Sequence, residues 1–78
     1  MNWKTRIIAD PDVLTGKPII KGTRLSVDFV LSLLAEGWTE NQILENYPQL
    51  DQEDLKAIFA FVQVCMAEEE YVALGKLA

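Results

Sequence analysis

The segment from residue 51 to about residue 71 places apolar side chains on nearly every side of a predicted helix. One stripe, at three- and four-residue spacing, consists of Leu55, Ile58, Phe59, Val62, Cys65 and Met66. A second stripe, close to the opposite side, consists of Ala57, Phe61 and Val64. Because a helix that is apolar nearly all round is buried on both sides, this segment needs cover from two directions.

The size of the chain limits what can supply that cover. A chain of 78 residues forms one small domain, and such a domain buries only about 60% of its unfolded surface. The single cysteine, Cys65, cannot form an internal disulfide. We therefore predict a homodimer or a tight partner, with the interface at Ala57, Phe61 and Val64. The alternative is that strands at the amino terminus cover the second stripe.

Two shorter helices are predicted ahead of this segment. The first follows Ser26 as its N-cap and ends near Gly37. Its apolar residues recur at helical spacing and are Val27, Val30, Leu31 and Leu34. The second opens with a capping box formed by Thr39 and Gln42, and Pro48 stops it. Three helices over residues 26–78 therefore make up most of the chain.

The first 25 residues have an extended, turn-rich pattern instead. Short strands are predicted within residues 3–9 and over residues 18–20, and Gly16 and Gly22 mark structural turns. We therefore expect a mostly α fold with a short β-rich arm over residues 1–25 and a three-helix unit over residues 26–78. The whole chain, residues 1–78, is expected to be a single domain.

The composition argues against several classes of function. There is no histidine and no second thiol, which leaves no general base near neutral pH and no zinc ligand set. No apolar stretch approaches the roughly 20 residues that span a bilayer. We expect a cytoplasmic protein that is not an enzyme, with no catalytic residues, metal, cofactor or membrane association.

The charge is unevenly distributed along the chain. The net charge is −5, yet residues 1–24 carry five basic residues against two acidic ones. Lys17, Lys21 and Arg24 place three cations within eight residues, next to the turn-forming Gly16 and Gly22. This loop is either a phosphate-binding element that acts through side-chain charge or a tight turn with incidental cations.

The second and third predicted helices, joined by a short turn at residues 47–50, have the proportions of a helix-turn-helix. Gln52 and Lys56 lie in the polar strip of the third helix and can read base edges. The same helix opens with three acidic residues, Asp51, Glu53 and Asp54. Phosphates repel these acids, so the third helix by itself favours protein binding over DNA binding.

Four segments together resemble a known prokaryotic family. They are DP at residues 10–11, GKPIIKGTRL at residues 16–25, LAEGWT at residues 34–39 and YP at residues 47–48. The pattern, over about residues 7 to 62, resembles the domain-of-unknown-function family 433. The resemblance implies a homeodomain-like helix-turn-helix core and dimerisation. Because some members resemble VapB-type antitoxins, it also implies operator DNA and a PIN-like ribonuclease toxin as partners.

Two functions from different classes remain open on this basis. The leading one is a DNA-binding, antitoxin-like transcriptional regulator of a toxin–antitoxin type system. The alternative is a homodimeric protein-interaction module that binds a partner protein without contacting DNA. The two functions differ in whether the protein binds operator DNA. The regulator has to contact an upstream operator, whereas the interaction module does not. The residues expected to make that contact are Lys17, Lys21, Arg24, Gln52 and Lys56.

Overall fold

The computed structural model describes residues 2–70. Two short strands, β1 (Ile7–Ala9) and β2 (Pro18–Ile20), precede three helices. The helices are α1 (Val27–Ala35), α2 (Glu40–Asn46) and α3 (Gln52–Cys65). Two single 3-10 turns lie in the amino-terminal segment, at Trp3–Thr5 and Leu14–Gly16. The predicted mostly helical fold with a short β-rich arm is confirmed.

The two strands form a small antiparallel hairpin. Ile7 is opposite Ile20 and Ala9 is opposite Pro18. After a turn the chain comes back along β2, where Ser26 forms a single bridge with Ile19. The strand predicted within residues 3–9 is shorter than expected. Its first part is instead a 3-10 turn, which the side chain of Asn2 caps by accepting a hydrogen bond from the backbone of Lys4.

The ends of the first two helices are fixed by the residues that their sequence predicts. Ser26 Oγ accepts the Phe29 N–H at 2.9 Å and starts α1. Gly37, at φ +101°, ends it, because only this residue type adopts that conformation without strain. Thr39 and Gln42 form the reciprocal capping box at the start of α2, with bonds of 3.1 Å and 2.8 Å.

The core lies where the hairpin and the three helices meet. Its buried residues are Ile7, Ile20, Val27, Val30, Leu33, Ile43, Leu50, Leu55, Ala57 and Ile58. All three helices and both strands contribute to this one cluster, so the amino-terminal arm is part of the core. No helix within residues 2–70 is long and apolar enough to cross a membrane.

The third helix differs from its prediction at two residues, Phe59 and Ala57. It ends at Cys65 and passes into a π-helical turn over Met66–Glu70, and the predicted end near residue 71 lies outside the described residues. Phe59 was assigned to the buried stripe, but 47% of it is exposed. Ala57 was assigned to a partner interface, but it is fully buried within the chain. The assignment of Ala57 is wrong, because no surface of that residue is left for a partner.

The second apolar stripe is partly covered by the amino-terminal segment. Trp3 packs edge-on against Phe61, with ring centroids 4.9 Å apart. The alternative that the sequence leaves open is cover by strands, and the residue that covers Phe61 lies in the 3-10 turn just ahead of β1. Phe61 and Val64 are both only half-buried, so apolar surface remains on this part of α3.

Candidate functional site

The amino end of α3 is held by a cluster of charged residues. Arg6 Nη1 donates to Asp51 Oδ1 at 3.1 Å and to Asp54 Oδ1 at 2.9 Å. The two aspartates also form a reciprocal capping box, in which each carboxylate accepts the backbone N–H of the other residue. Asp54 is buried, with 8% of its surface exposed. Two of the three acids at the helix opening therefore serve local structure.

The same cluster determines the ionisation of its members. The hydrogen bond to Asp54 is the main cause that raises the pKa of Arg6 above its ordinary value. The pKa of Asp51 is lowered, chiefly because its carboxylate accepts the backbone N–H of Asp54, with the charge of Arg6 adding to the effect. Both pKa shifts favour the charged forms of Arg6 and Asp51.

The turn that follows β2 is tied to this cluster. The Lys21 N–H donates to the carbonyl of Arg6 at 2.8 Å. Gly22 has φ +83°, and Thr23 Oγ1 both donates to the Ile20 carbonyl and accepts the Leu25 N–H. Through Arg6, the turn that carries Lys21 is brought to the end of the molecule where α3 begins. Local sequence signals do not indicate this link, because Arg6 and Asp54 are 48 residues apart.

The other two cations of the loop belong to a groove. Lys17 and Arg24 line an open groove of about 560 Å³. Its remaining lining residues are Leu14, Thr15, Leu25, Ser26 and Phe29. We refer to these seven residues as the cationic groove. The structure therefore brings Lys17 and Arg24 together, while Lys21 is outside the lining of this groove.

One wall of the cationic groove is a left-handed turn. Leu14, Thr15 and Gly16 have φ values of +49°, +55° and +82°. Positive φ is ordinary for glycine but uncommon for leucine and rare for a β-branched residue such as threonine. The sequence indicates a turn only at Gly16, and nothing in it indicates that the two preceding residues adopt the same conformation.

The outward face of α3 carries both candidate base-reading residues. Gln52, Lys56, Phe59 and Gln63 are exposed and recur at helical spacing. Lys56 Nζ lies 3.4 Å from a Glu53 carboxylate oxygen, and both side chains are more than half exposed. Such a pair is weak, so Lys56 can exchange this carboxylate for another anion at little cost.

A second groove lies between α1 and the end of α3. Its volume is about 250 Å³, and its lining consists of Pro18, Val27, Asp28, Leu31, Phe61, Val62, Cys65 and Met66. We refer to these eight residues as the α1–α3 groove. Phe61 is part of it, whereas Ala57 and Val64 are not. Within residues 2–70, no group of three histidine, cysteine or acidic residues is placed to hold a metal ion.

The sequence pattern and the fold both match known proteins. The family described as "Protein of unknown function (DUF433)" matches residues 7–62, which is well over half of the chain. The chain belongs to the DUF433 family. The resemblance that the sequence motifs indicate is thereby confirmed.

Relatives of this DUF433 chain are found in two bacteria. A crystal structure of a DUF433 member from Anabaena variabilis ATCC 29413 superposes with a TM-score of 0.73 at 26% identity. That match covers 94% of this chain and 69% of the other. "Uncharacterized protein y4eO" of Sinorhizobium fredii (strain NBRC 101917 / NGR234) is 36% identical over 50 residues, which is 64% of this chain and 23% of that protein. The chain therefore spans about a quarter of that relative.

Proposed function

We propose that this DUF433 chain is a DNA-binding, antitoxin-like transcriptional regulator that presents the start of α3 to the major groove. The observation that carries the proposal is the connection through Arg6 between the Lys21 turn and the opening of α3. A phosphate-contacting cation next to base-reading side chains is the arrangement that helix-turn-helix proteins need. Gln52 and Lys56 are the base-reading residues, and both are exposed.

The structure weakens the electrostatic objection to DNA binding. Asp51 and Asp54 direct their carboxylates to each other's backbone and to Arg6. Glu53 is the remaining acid of the first turn, and it lies beside Lys56. The electrostatic potential at the start of α3 is therefore less negative than the three acidic residues in the sequence indicate. The net charge of −5 still opposes approach to DNA, so binding is expected to be weak at physiological salt.

The stoichiometry of the proposed complex sets its salt dependence. A homodimer offers Lys17, Lys21 and Arg24 twice. If all of them contact phosphates, the slope of log K against log salt concentration is about −5. If the Lys17–Arg24 pair does not contact DNA, the slope is much flatter. A PIN-like toxin is the second partner in this proposal, and it strengthens DNA binding by adding contacts or by ordering the dimer.

The test is fluorescence anisotropy with labelled duplex from upstream of the gene, measured over a range of salt concentrations. Lys21→Glu and Arg24→Glu should weaken binding, and Lys4→Glu is the matched control. Lys4 lies over the Trp3 ring, beside Phe61. Phe61 is nine residues, or about 13 Å, beyond Gln52 along α3. Lys4 therefore lies away from the proposed DNA contact at the start of the helix. An equal loss in all three variants would indicate non-specific attraction only.

A second pair of variants tests the base-reading face. Gln52→Ala should reduce the preference for upstream duplex over a scrambled duplex. Gln63→Ala is the control, because Gln63 is on the same exposed face about three turns further along α3. Specificity that is unchanged in Gln52→Ala, or equally reduced in Gln63→Ala, would contradict docking through the start of the helix.

The α1–α3 groove favours a second candidate, a homodimeric interaction module that does not touch DNA. The lining of this groove is almost entirely apolar, and Phe61 and Met66 are only partly covered. Partly exposed apolar grooves of this kind are typical of protein-binding surfaces. If the wild-type protein binds no upstream duplex at low salt, with and without a partner encoded beside it, this second function replaces the regulator.

A further inference from the structure

The cationic groove combines two cations with exposed apolar side chains. Lys17 and Arg24 lie on its lining together with the apolar side chains of Leu14, Leu25 and Phe29. Leu14 is 46% exposed and Phe29 is 38% exposed, so apolar surface faces solvent beside the two cations. A ligand that matches this groove has to bring negative charge and an apolar group together.

The two cations are available to such a ligand. The ion pairs of the described residues 2–70 involve Arg6 and Lys56, and neither Lys17 nor Arg24 takes part in one. The apolar wall is held in place, because the Phe29 ring packs edge-on against Tyr47 with centroids 5.6 Å apart. This contact holds the Phe29 wall in place, and a wall that is already ordered lowers the cost of association.

The shape and chemistry of the groove favour a peptide segment. The groove is partly open to solvent, whereas small-molecule sites usually enclose most of their ligand. Phosphate contacts need cations but gain nothing from leucine side chains beside them. An acidic peptide segment with an adjoining large apolar side chain satisfies both the cations and the leucines.

The chain itself contains a segment of that composition. Residues 66–72 read MAEEEYV, in which three glutamates are followed directly by an aromatic and an aliphatic residue. Glu68 is exposed, and within one chain it makes no described ion pair with Lys17 or Arg24. The charge along the chain is also complementary, since residues 25–78 carry ten acidic residues against two basic ones.

We propose that the cationic groove binds the acidic segment at residues 66–72 of a second copy of this chain. The glutamates pair with Lys17 and Arg24, and the apolar residues that follow them pack on Leu14 and Phe29. In a two-fold dimer each copy gives its segment to the groove of the other. The proposal does not depend on DNA binding, and it assigns the self-association to a surface other than the Phe61 stripe.

A charge-exchange experiment tests the pairing directly. Sedimentation velocity of the full chain should show a dimer that weakens as salt rises. The variant Lys17→Glu/Arg24→Glu and the variant Glu68→Lys/Glu69→Lys/Glu70→Lys should each associate about tenfold more weakly, because reversal replaces attraction with repulsion. A mixture of the two variants should form a heterodimer, since each supplies the charges that the other has lost.

Three further variants separate this contact from general effects. Lys4→Glu changes the net charge as much as Arg24→Glu alone but alters no lining residue; its association should equal that of the wild type, whereas that of Arg24→Glu should weaken. Leu14→Asn removes an apolar wall residue at a position with φ +49°, a conformation that asparagine tolerates well. Its association should weaken while its thermal stability is kept or increased.

Several results would overturn the proposal. These are a wild-type chain that stays monomeric, association that is insensitive to salt and to both charge reversals, and variants that do not recover on mixing. Dimers lost in Phe61→Glu but kept in both charge variants would place the interface on α3. If the groove variant loses only upstream duplex and keeps its self-association, the groove binds nucleic acid. Apart from this last result, none of these outcomes depends on whether the wild type binds DNA.

Discussion

The two halves of α3 differ in burial in the opposite sense to their composition, because the second half is the more apolar and the less buried. In the first half, Asp54, Leu55, Ala57 and Ile58 are all buried. In the second half, Phe61, Val62, Val64 and Cys65 are only half-buried. The difference arises because the hairpin, α1 and α2 surround the first half, while Trp3 and α1 contact the second. The first half stabilises the single chain, and the second retains surface for a partner.

The largest expected effect is a difference in unfolding free energy between substitutions in the first and second halves of α3. Ile58 is fully buried, so Ile58→Ala should lower the free energy of unfolding by about 2–5 kcal/mol. Val62→Ala, in the half-buried part, should cost about 1 kcal/mol or less. Urea denaturation at low protein concentration measures both. A Val62→Ala cost that approaches the Ile58→Ala cost and grows with protein concentration would show that a second copy covers the end of α3.

The next effect concerns the turn that Arg6 links to the start of α3. Gly22 has φ +83°, and a Cβ added there would have no heavy atom within 4 Å. Gly22→Val should therefore destabilise through backbone strain alone, by roughly 1–3 kcal/mol. Gly22→Asn is the matched control, because asparagine tolerates this conformation. Thermal unfolding that is equally affected in both variants would contradict backbone strain as the cause.

A smaller effect is expected at the capping box of α3. Asp51→Ala should cost about 1 kcal/mol, because the first turn loses its N-cap. Asp51→Asn keeps an oxygen that accepts the Asp54 N–H, so it should cost less. The two variants separate the contribution of the cap from that of the charge.

The charge of Asp51 should make the free energy of unfolding depend on pH. Its pKa is lowered from 3.8 by the Asp54 N–H and by Arg6. A carboxylate with a lowered pKa contributes stability above its unfolded pKa and loses it as the pH falls through the folded value. The difference between wild type and Asp51→Asn should therefore be present at neutral pH and disappear on acidification below 3.8. A difference that persists in acid would indicate that geometry, and not charge, is responsible.

The same contrast explains which features the sequence could predict. The caps at Ser26 and Thr39 are predicted from the sequence, and both are present, as is a third cap at Asp51. The burial of Ala57 and the exposure of Phe59 depend on where the amino-terminal segment packs. Helical periodicity identifies an apolar stripe, but it does not tell which end of that stripe another element covers.

The candidate site shows the same limit. The composition of residues 16–24 identifies its cations, and their positions on the surface follow from the hairpin. Lys17 and Arg24 meet because the chain doubles back after β2, with Leu25 opposite Ile20. The Arg6–Asp54 pair joins residues 48 positions apart. The Arg6–Asp54 pair has no local signal, because it depends on the pairing of distant segments. The placement of Lys17 and Arg24 on one groove depends on how the turn after β2 folds.

The smallest expected effect on stability tests whether Lys56 is a functional residue. Its contact with Glu53 spans 3.4 Å between two largely exposed side chains, and such pairs contribute about 0.5 kcal/mol or less. Lys56→Gln should therefore leave urea denaturation nearly unchanged.

If α3 enters the major groove, the same variant should weaken binding to upstream duplex several-fold and flatten its salt dependence, because one cation is lost. Glu53→Gln is the matched control, since it breaks the same pair but should strengthen DNA binding by removing a negative charge. If both variants reduce stability alike and leave DNA binding unchanged, Lys56 has only a structural role, and the exposed face of α3 is not a nucleic-acid surface.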